Sequence, residues 1–211
     1  SLVSQDRRHQ RAARTRQALI DAALDRFERD GFDATTVNQI AEAAGVAPRT
    51  FFHHFKTKEA VLFAGYADRL DEARALLRDA DADLALWVAI ERSSSVVIGH
   101  MADQPRLFLR RGRLYADEPA LRAAMLLINE EWIDSMRIVI ARRMQAEESD
   151  LRPRLVAALA NGAMRSTIDT WIESDGRADL TELFASAFEM VRPSIVEIEA
   201  SWAIGESRAH A

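Results

Sequence analysis

Apolar residues recur three, four and seven positions apart along most of the chain, which is the spacing of one face of an α-helix. The first such stripe predicts a helix that begins near Arg11 and buries Leu19, Ile20, Ala23, Leu24 and Phe27. No long stretch alternates apolar with polar residues, and the 211 residues include only 8 Gly and 5 Pro. The pattern therefore predicts an all-α fold.

Residues 36 to 55 carry the signals for two short helices joined by a tight turn. Thr36 and Gln39 have the spacing of a capping box at the start of a helix that ends near residue 44. Gly45 suits the turn, and Pro48 suits the first turn of the next helix. Ile40 and Ala44 are expected to face inward from the first helix, and Ala41 is small where the second helix crosses it. Val46, Phe51 and Phe55 are expected to fill the core. This pattern indicates a helix-turn-helix, with an ordinary helical hairpin as the alternative.

Longer helices are predicted after about residue 80. The segment 119–144 is apolar on two faces, which is typical of a central helix or of one that also lines a cavity. The segments 151–174 and 179–192 follow, the second capped by Asp179, and both have small or aromatic faces suited to packing against symmetry mates. We therefore expect residues 61–211 to form one helical domain that pairs two copies of the chain through 151–174 and 179–192.

Charge separates the N-terminal part from the rest. The formal net charge is -5 overall, but residues 1–60 have ten Arg or Lys against eight Asp or Glu. The first sixteen residues contain five Arg and one Asp. A basic end on an acidic body is expected when only that end meets phosphate. An arm at 1–14 is thus predicted either to enter a minor groove through residues such as Arg11 and Arg14, or to be a solvated tail.

Several functional classes are disfavoured. The chain has no Cys, which excludes disulfides and thiolate metal sites. It lacks the G-x-S-x-G, P-loop and dinucleotide-binding motifs, and its five His include no pair four residues apart. Uncharged stretches reach about ten residues, half of a membrane span, and no apolar signal segment is seen. We expect a cytoplasmic protein with no metal, cofactor or membrane partner; a dispersed catalytic triad stays open.

Between Arg11 and Leu62 the chain resembles the DNA-binding domain of the tetracycline-repressor (TetR) family. The resemblance is carried by TRQALIDAALDRFERDGFDATTVNQIAEAAGVAPRTFFHHFKTKEAVL. The resemblance implies a three-helix DNA-binding head at residues 1–60 and a larger helical body at residues 61–211 that binds an effector and dimerises. It also implies a repressor that a small molecule releases from DNA. The chain departs from the family pattern at Ala47, where Ser is common, and at Phe52, where Tyr is usual.

Matching positions place the recognition helix at residues 48–55. Arg49 and Thr50, at its N-terminal end, are expected to reach base edges, and Arg49 suits a guanine. Other residues suit phosphate contacts that fix register rather than sequence. The complete predicted DNA-binding set is Arg11, Arg14, Thr36, Arg49, Thr50, Phe52, His53, His54 and Lys58. Each polar member has the alternative of being a solvated surface residue, and Phe52 the alternative of being a core residue.

Large apolar residues of the body suggest a pocket for an elongated hydrophobic effector, because Met and aromatic walls accommodate varied ligands. The predicted lining is Trp87, Phe108, Tyr115, Met125, Asn129, Trp132 and Met136, any of which is equally consistent with an ordinary core. Together these features favour a homodimeric repressor that binds a palindromic, double-stranded operator and leaves it when a small-molecule effector binds. The alternatives are an architectural DNA-binding dimer without effector and, further behind, a helical enzyme.

Overall fold

The computed structural model describes residues 2–209, and the side chains of residues 7–201. Within that range the secondary structure is entirely helical, as predicted. The helices are α1 (Leu2–Asp30), α2 (Val37–Ala43), α3 (Pro48–His54), α4 (Tyr66–Asp79), α5 (Leu86–Asp103), α6 (Pro105–Asp117), α7 (Pro119–Arg143), α8 (Leu151–Glu173) and α9 (Leu180–Ala209), with a 3-10 turn at Glu59–Val61.

The start of α1 corrects one expectation. The helix begins at Leu2 rather than near Arg11, so residues 2–14 of the predicted arm belong to α1. The physical reason is composition: residues 2–30 contain neither Gly nor Pro and are rich in Arg, Gln and Ala, which favour helix. Arg11 and Arg14 lie exposed on this helix.

The chain divides into two compact units. Unit 1 consists of Ser1–Gly65 together with Arg110–Ala124, and unit 2 of Tyr66–Leu109 together with Met125–Ala211. In unit 1, Arg110 of α6 pairs with Asp25 and Glu28 of α1, with nitrogen–oxygen distances of 2.7 Å.

Unit 2 is built around α8 and α9, which pack along each other, while α5 packs against both α4 and α9. Its core contains buried residues from every helix of the unit, among them Leu77, Ile90, Ile140 and Val156, each fully buried. Burial of this apolar area stabilises the unit by about 25 cal/mol per Å².

The two C-terminal helices match their predicted starts. Asp179 accepts a hydrogen bond from the amide of Glu182 at 2.9 Å, which confirms the predicted cap. α9 continues well past the predicted end near residue 192, with Pro193 inside it on the exposed side. The continuation places a Glu199 carboxylate oxygen 3.3 Å from the amide of Leu86, at the start of α5. This long-range contact supplies the cap that Ala85 lacks.

None of the helices in the described part of the chain is both long and apolar enough to cross a membrane. Within the same residues, no group of three or more His, Cys, Asp or Glu is arranged to hold a metal ion.

Candidate nucleic-acid interface

The start of α2 is a capping box, as the sequence predicts. The Gln39 amide donates to the Thr36 hydroxyl at 3.3 Å, and the Thr36 amide donates to the Gln39 side-chain oxygen at 2.8 Å. Thr36 is exposed. The box therefore fixes a hydroxyl at the N-terminus of α2, where the helix dipole favours anions.

A tight turn connects α2 to α3. Gly45 has φ +68°, a conformation that costs residues with a side chain energy, and the Val46 amide donates to the Ala41 carbonyl at 2.9 Å. Pro48 is the first residue of α3, as predicted, and the α3 N-cap, Ala47, makes no side-chain capping bond. The missing hydroxyl is the consequence of Ala at a position where the TetR-like pattern has Ser.

The third helix has a buried side and an exposed side. Phe51 is fully buried and Phe55 is 5% exposed, so both hold α3 in unit 1. On the other side Arg49 and His53 are exposed, and the Phe52 ring is 58% exposed. Arg49 and Phe52 are three residues apart, so these two exposed side chains are neighbours on the surface of α3.

Two histidines and an arginine meet at the C-terminal end of α3. The His53 and His54 rings are edge to face, with centroids 5.4 Å apart. Burial lowers the pKa of His54, and the charges of His53 and Arg16 lower it further. The Arg16 guanidinium carbon lies 5.4 Å above the Phe55 ring. Sequence reasoning missed Arg16, since only the packing of α1 brings it to α3.

Lys58 lies in a different environment from the one expected of a phosphate contact. Its ammonium donates to the carbonyl oxygens of Phe32, Thr35 and Asp33 at 2.7, 3.2 and 3.4 Å, and it lies 4.2 Å from the centroid of the Phe32 ring. The three donors of the lysine are thus directed at the loop between α1 and α2.

Most of the residues predicted to line an effector pocket come together in unit 2. Phe108, Trp132 and Met136 are buried in its core, and Trp87 and Met125 pack half-buried against that core. Asn129 is half-buried on α7, the helix that carries Met125, Trp132 and Met136.

Tyr115 is the exception among the predicted lining residues. It belongs to unit 1, where its hydroxyl donates to the Leu62 carbonyl at 3.2 Å and its ring stacks on Phe63 with centroids 5.6 Å apart. These contacts give it a packing role near the end of the helix-turn-helix segment.

A groove of about 640 Å³ lies beside the loop between α4 and α5, lined by Glu72, Ala75, Leu76, Asp79, Ala80, Asp81, Asp83, Leu84, Ala89, Arg92 and Ser93. None of the seven residues of the predicted pocket lining given above is among them.

Comparison with known proteins agrees with this architecture. Residues 19–64 match the bacterial regulatory proteins of the tetR family, and residues 84–195 match the MftR C-terminal domain. The chain is 34% identical over 206 residues to the HTH-type transcriptional regulator TcmR of Streptomyces glaucescens, covering 92% of this chain and 89% of TcmR. The chain belongs to the TetR family. It is a transcriptional regulator of that family, and the predicted family membership is confirmed.

Two further relatives extend the comparison within the TetR family. The MftR regulator of Mycobacterium tuberculosis, which is described as a putative regulator of mycofactocin biosynthesis, is 26% identical, over 86% of this chain and 91% of its own. The structure of FadR from Bacillus subtilis with stearoyl-CoA has a TM-score of 0.58 at 22% identity, covering 83% of this chain and 96% of FadR. The latter similarity establishes the shared fold.

Proposed function

We propose that this TetR-family regulator is a homodimeric repressor that binds a palindromic DNA operator through α3 and is released by an elongated hydrophobic effector. The observation that carries the DNA-binding part is the two-sided α3, with Phe51 fully buried and Arg49, Phe52 and His53 facing outward. An Arg side chain reads guanine through two acceptors in the major groove.

The remaining contacts of the proposed interface are to phosphate. The Thr36 hydroxyl, which donates to the Gln39 side-chain oxygen at 3.1 Å in the free protein, can rotate toward a phosphate at the N-terminus of α2. His53 and His54 present ring nitrogens at the end of α3. Arg11 and Arg14 are exposed on α1 and add positive charge. Thr50, half-buried beside Arg49, completes the proposed base-reading pair.

Selection of duplexes from a random-sequence pool tests this interface. We expect enrichment of a palindrome whose half-site centres are about one helical turn, 10–10.5 base pairs, or a multiple of it apart. Arg49→Ala should weaken binding by about 1–3 kcal/mol and relax one base position per half-site. Arg177→Ala removes the same charge from the α8–α9 turn and should leave affinity unchanged. Equal affinities of the Arg49 and Arg177 variants would remove Arg49 from base reading.

The proposed dimer uses the outward faces of α8 and α9. Small and apolar residues are exposed there, including Leu155 (42%), Ala158, Gly162 and Met190 (76%). Small residues allow two helix pairs to approach closely, and an exposed apolar stripe is stabilised when a second copy covers it. Because the same face occurs on both copies, the contact closes as a two-fold dimer.

A charge placed in the proposed interface tests the dimer without disturbing the protomer. A Cβ added at Gly162 of α8 or at Gly99 of α5 meets no atom within 4 Å, so each position accepts a side chain within the protomer. We expect Gly162→Glu to sediment as a monomer and Gly99→Glu to remain a dimer at micromolar concentration. A dimeric Gly162→Glu protein would contradict the proposed interface.

The proposed effector site lies in the core of unit 2, at Phe108, Met125, Asn129, Trp132 and Met136. Met125, Trp132 and Met136 of this set lie on α7. The two Met side chains are unbranched and flexible, so they can repack around a ligand. FadR, which shares the fold, was solved with stearoyl-CoA. This supports a long acyl chain as the class of ligand, with Trp87 at the edge of the same core.

Thermal unfolding with stearoyl-CoA, and with free coenzyme A as the control, tests the effector site. A ligand present at 100 times its Kd should stabilise the protein by about 2.7 kcal/mol. We expect stearoyl-CoA to raise the Tm and to release the selected duplex, and coenzyme A to do neither. Binding to DNA that no acyl or other hydrophobic ligand affects would favour the architectural alternative.

A further inference from the structure

The Lys58 side chain binds the backbone of the loop that joins α1 to α2. The loop carbonyls of Phe32, Asp33 and Thr35 converge on its ammonium at 2.7, 3.4 and 3.2 Å, and the Phe32 ring covers it at 4.2 Å. Thr35 is 1% exposed, and its hydroxyl donates to the Gly31 carbonyl at 2.7 Å. These three loop carbonyls therefore share one hydrogen-bond donor group, the Lys58 ammonium, which lies 23 to 26 residues further along the chain.

A single peptide group links Lys58 to the DNA-facing end of α2. The carbonyl of Thr35 accepts from Lys58, and the amide of the same planar peptide group belongs to Thr36. That amide donates to the Gln39 side chain at 2.8 Å, which is one half of the capping box. Holding the carbonyl thus fixes the direction of the amide and, with it, the position of the Thr36 hydroxyl.

We propose that Lys58 is a positioning residue, which holds the α1–α2 loop by its carbonyls and so places Thr36 against DNA, and that it makes no phosphate contact of its own. The proposal rests on the proposed DNA binding. It differs from the phosphate contact expected from the sequence, because an ammonium that keeps three carbonyl partners has no remaining donor for phosphate.

The salt dependence of DNA binding separates the two roles. Each phosphate contact contributes about 0.9 to the slope of log K against log salt concentration. We expect Lys58→Met to bind the selected duplex roughly tenfold more weakly, as for loss of a charge-assisted hydrogen bond, with the slope of the wild-type protein. Lys56→Met is the matched control, since Lys56 is exposed and the chain has no other Lys. The slope of the Lys56→Met protein shows how much the loss of one exposed positive charge changes the salt dependence.

A double variant tests whether Lys58 acts through Thr36. We expect the combined affinity loss of Lys58→Met and Thr36→Val to be smaller than the product of the two separate losses. Circular dichroism at the binding temperature identifies variants that remain folded. A slope shallower by about 0.9 in Lys58→Met, an undiminished affinity, or independent effects of the two substitutions would each overturn the proposal. A wild-type protein that binds no duplex would instead overturn the proposed function.

The wild-type protein gives a second test that needs no variant. Reductive methylation with ¹³C-formaldehyde yields separate signals for the two lysines. We expect Lys58 to react more slowly than Lys56 both without and with DNA, because its ammonium is already bound. Equal reactivity in the free protein, with protection of Lys58 only in the complex, would show a phosphate contact and refute the positioning role.

Discussion

Gly176, in the turn between α8 and α9, is predicted to resist substitution for two separable reasons. Its φ is +72°, and a Cβ built there would lie 2.7 Å from Cδ1 of Leu109 in α6. Ala in the left-handed conformation costs roughly 1–2 kcal/mol. Displacing the Leu109 side chain from its preferred rotamer costs a further ~0.5–1.5 kcal/mol. We therefore expect Gly176→Ala to lower the free energy of unfolding by about 1.5–3.5 kcal/mol.

Urea unfolding followed by circular dichroism measures this loss, and a double-mutant cycle with Leu109→Ala divides it. In the Leu109→Ala background the collision is absent, so Gly176→Ala should cost only the backbone component of about 1–2 kcal/mol. Gly176→Asn is the matched control for the backbone component. Asn also carries a Cβ but tolerates the left-handed region better than Ala, so the difference between the two variants reports the backbone cost. An equal cost of Gly176→Ala in both backgrounds would refute the collision with Leu109. No cost in either would refute the turn geometry itself.

Three further predictions concern the ends and faces of helices. Asp150 caps α8 by accepting from the Arg152 amide at 2.9 Å, and the Arg152 side chain and amide lower its pKa to about 2. The stabilisation is therefore present above the unfolded pKa of 3.8 and is lost as pH falls through about 2. In urea titrations Asp150→Ala should cost about 1 kcal/mol at pH 7 and little at pH 2, whereas a pH-independent cost would contradict this. Arg110→Ala breaks the bidentate pair with Glu28 and should lower the free energy of unfolding by about 1 kcal/mol in low salt. The loss should be smaller in 1 M NaCl, because salt screens half-exposed ion pairs. An unchanged loss would argue against an electrostatic origin. Phe52→Tyr adds a hydroxyl to a ring 58% exposed, so by fluorescence anisotropy it should tighten DNA binding roughly two- to tenfold through one new hydrogen bond; unchanged affinity would place that ring away from phosphate.

Local patterns explain why much of the N-terminal unit was predictable. The capping box of Thr36 and Gln39, the turn at Gly45 and the start of α3 at Pro48 each depend on residues fewer than five positions apart. Their conformations follow from backbone sterics and nearby hydrogen bonds, so the sequence specifies them directly. The same holds for the Asp179 cap of α9.

The roles of single side chains in the site were less predictable. The sequence predicts that Lys58 contacts phosphate, but it does not show that the Lys58 ammonium binds carbonyls 23 to 26 residues earlier. It predicts that Tyr115 lines an effector pocket, but it does not show the hydrogen bond from Tyr115 to the Leu62 carbonyl in unit 1. Arg16 was not predicted, although it lies over Phe55. A charge or an aromatic ring looks the same in the sequence whichever partner the fold gives it.

The sequence by itself determined the helical class, most helix starts, the helix-turn-helix and the family, because those features arise from apolar periodicity and short-range capping. Only the tertiary structure decided that residues 110–124 join the N-terminal unit and that Glu199 caps α5 from 113 residues away. These outcomes depend on long-range packing, in which a partner is selected by three-dimensional proximity. No local pattern in the chain encodes that proximity.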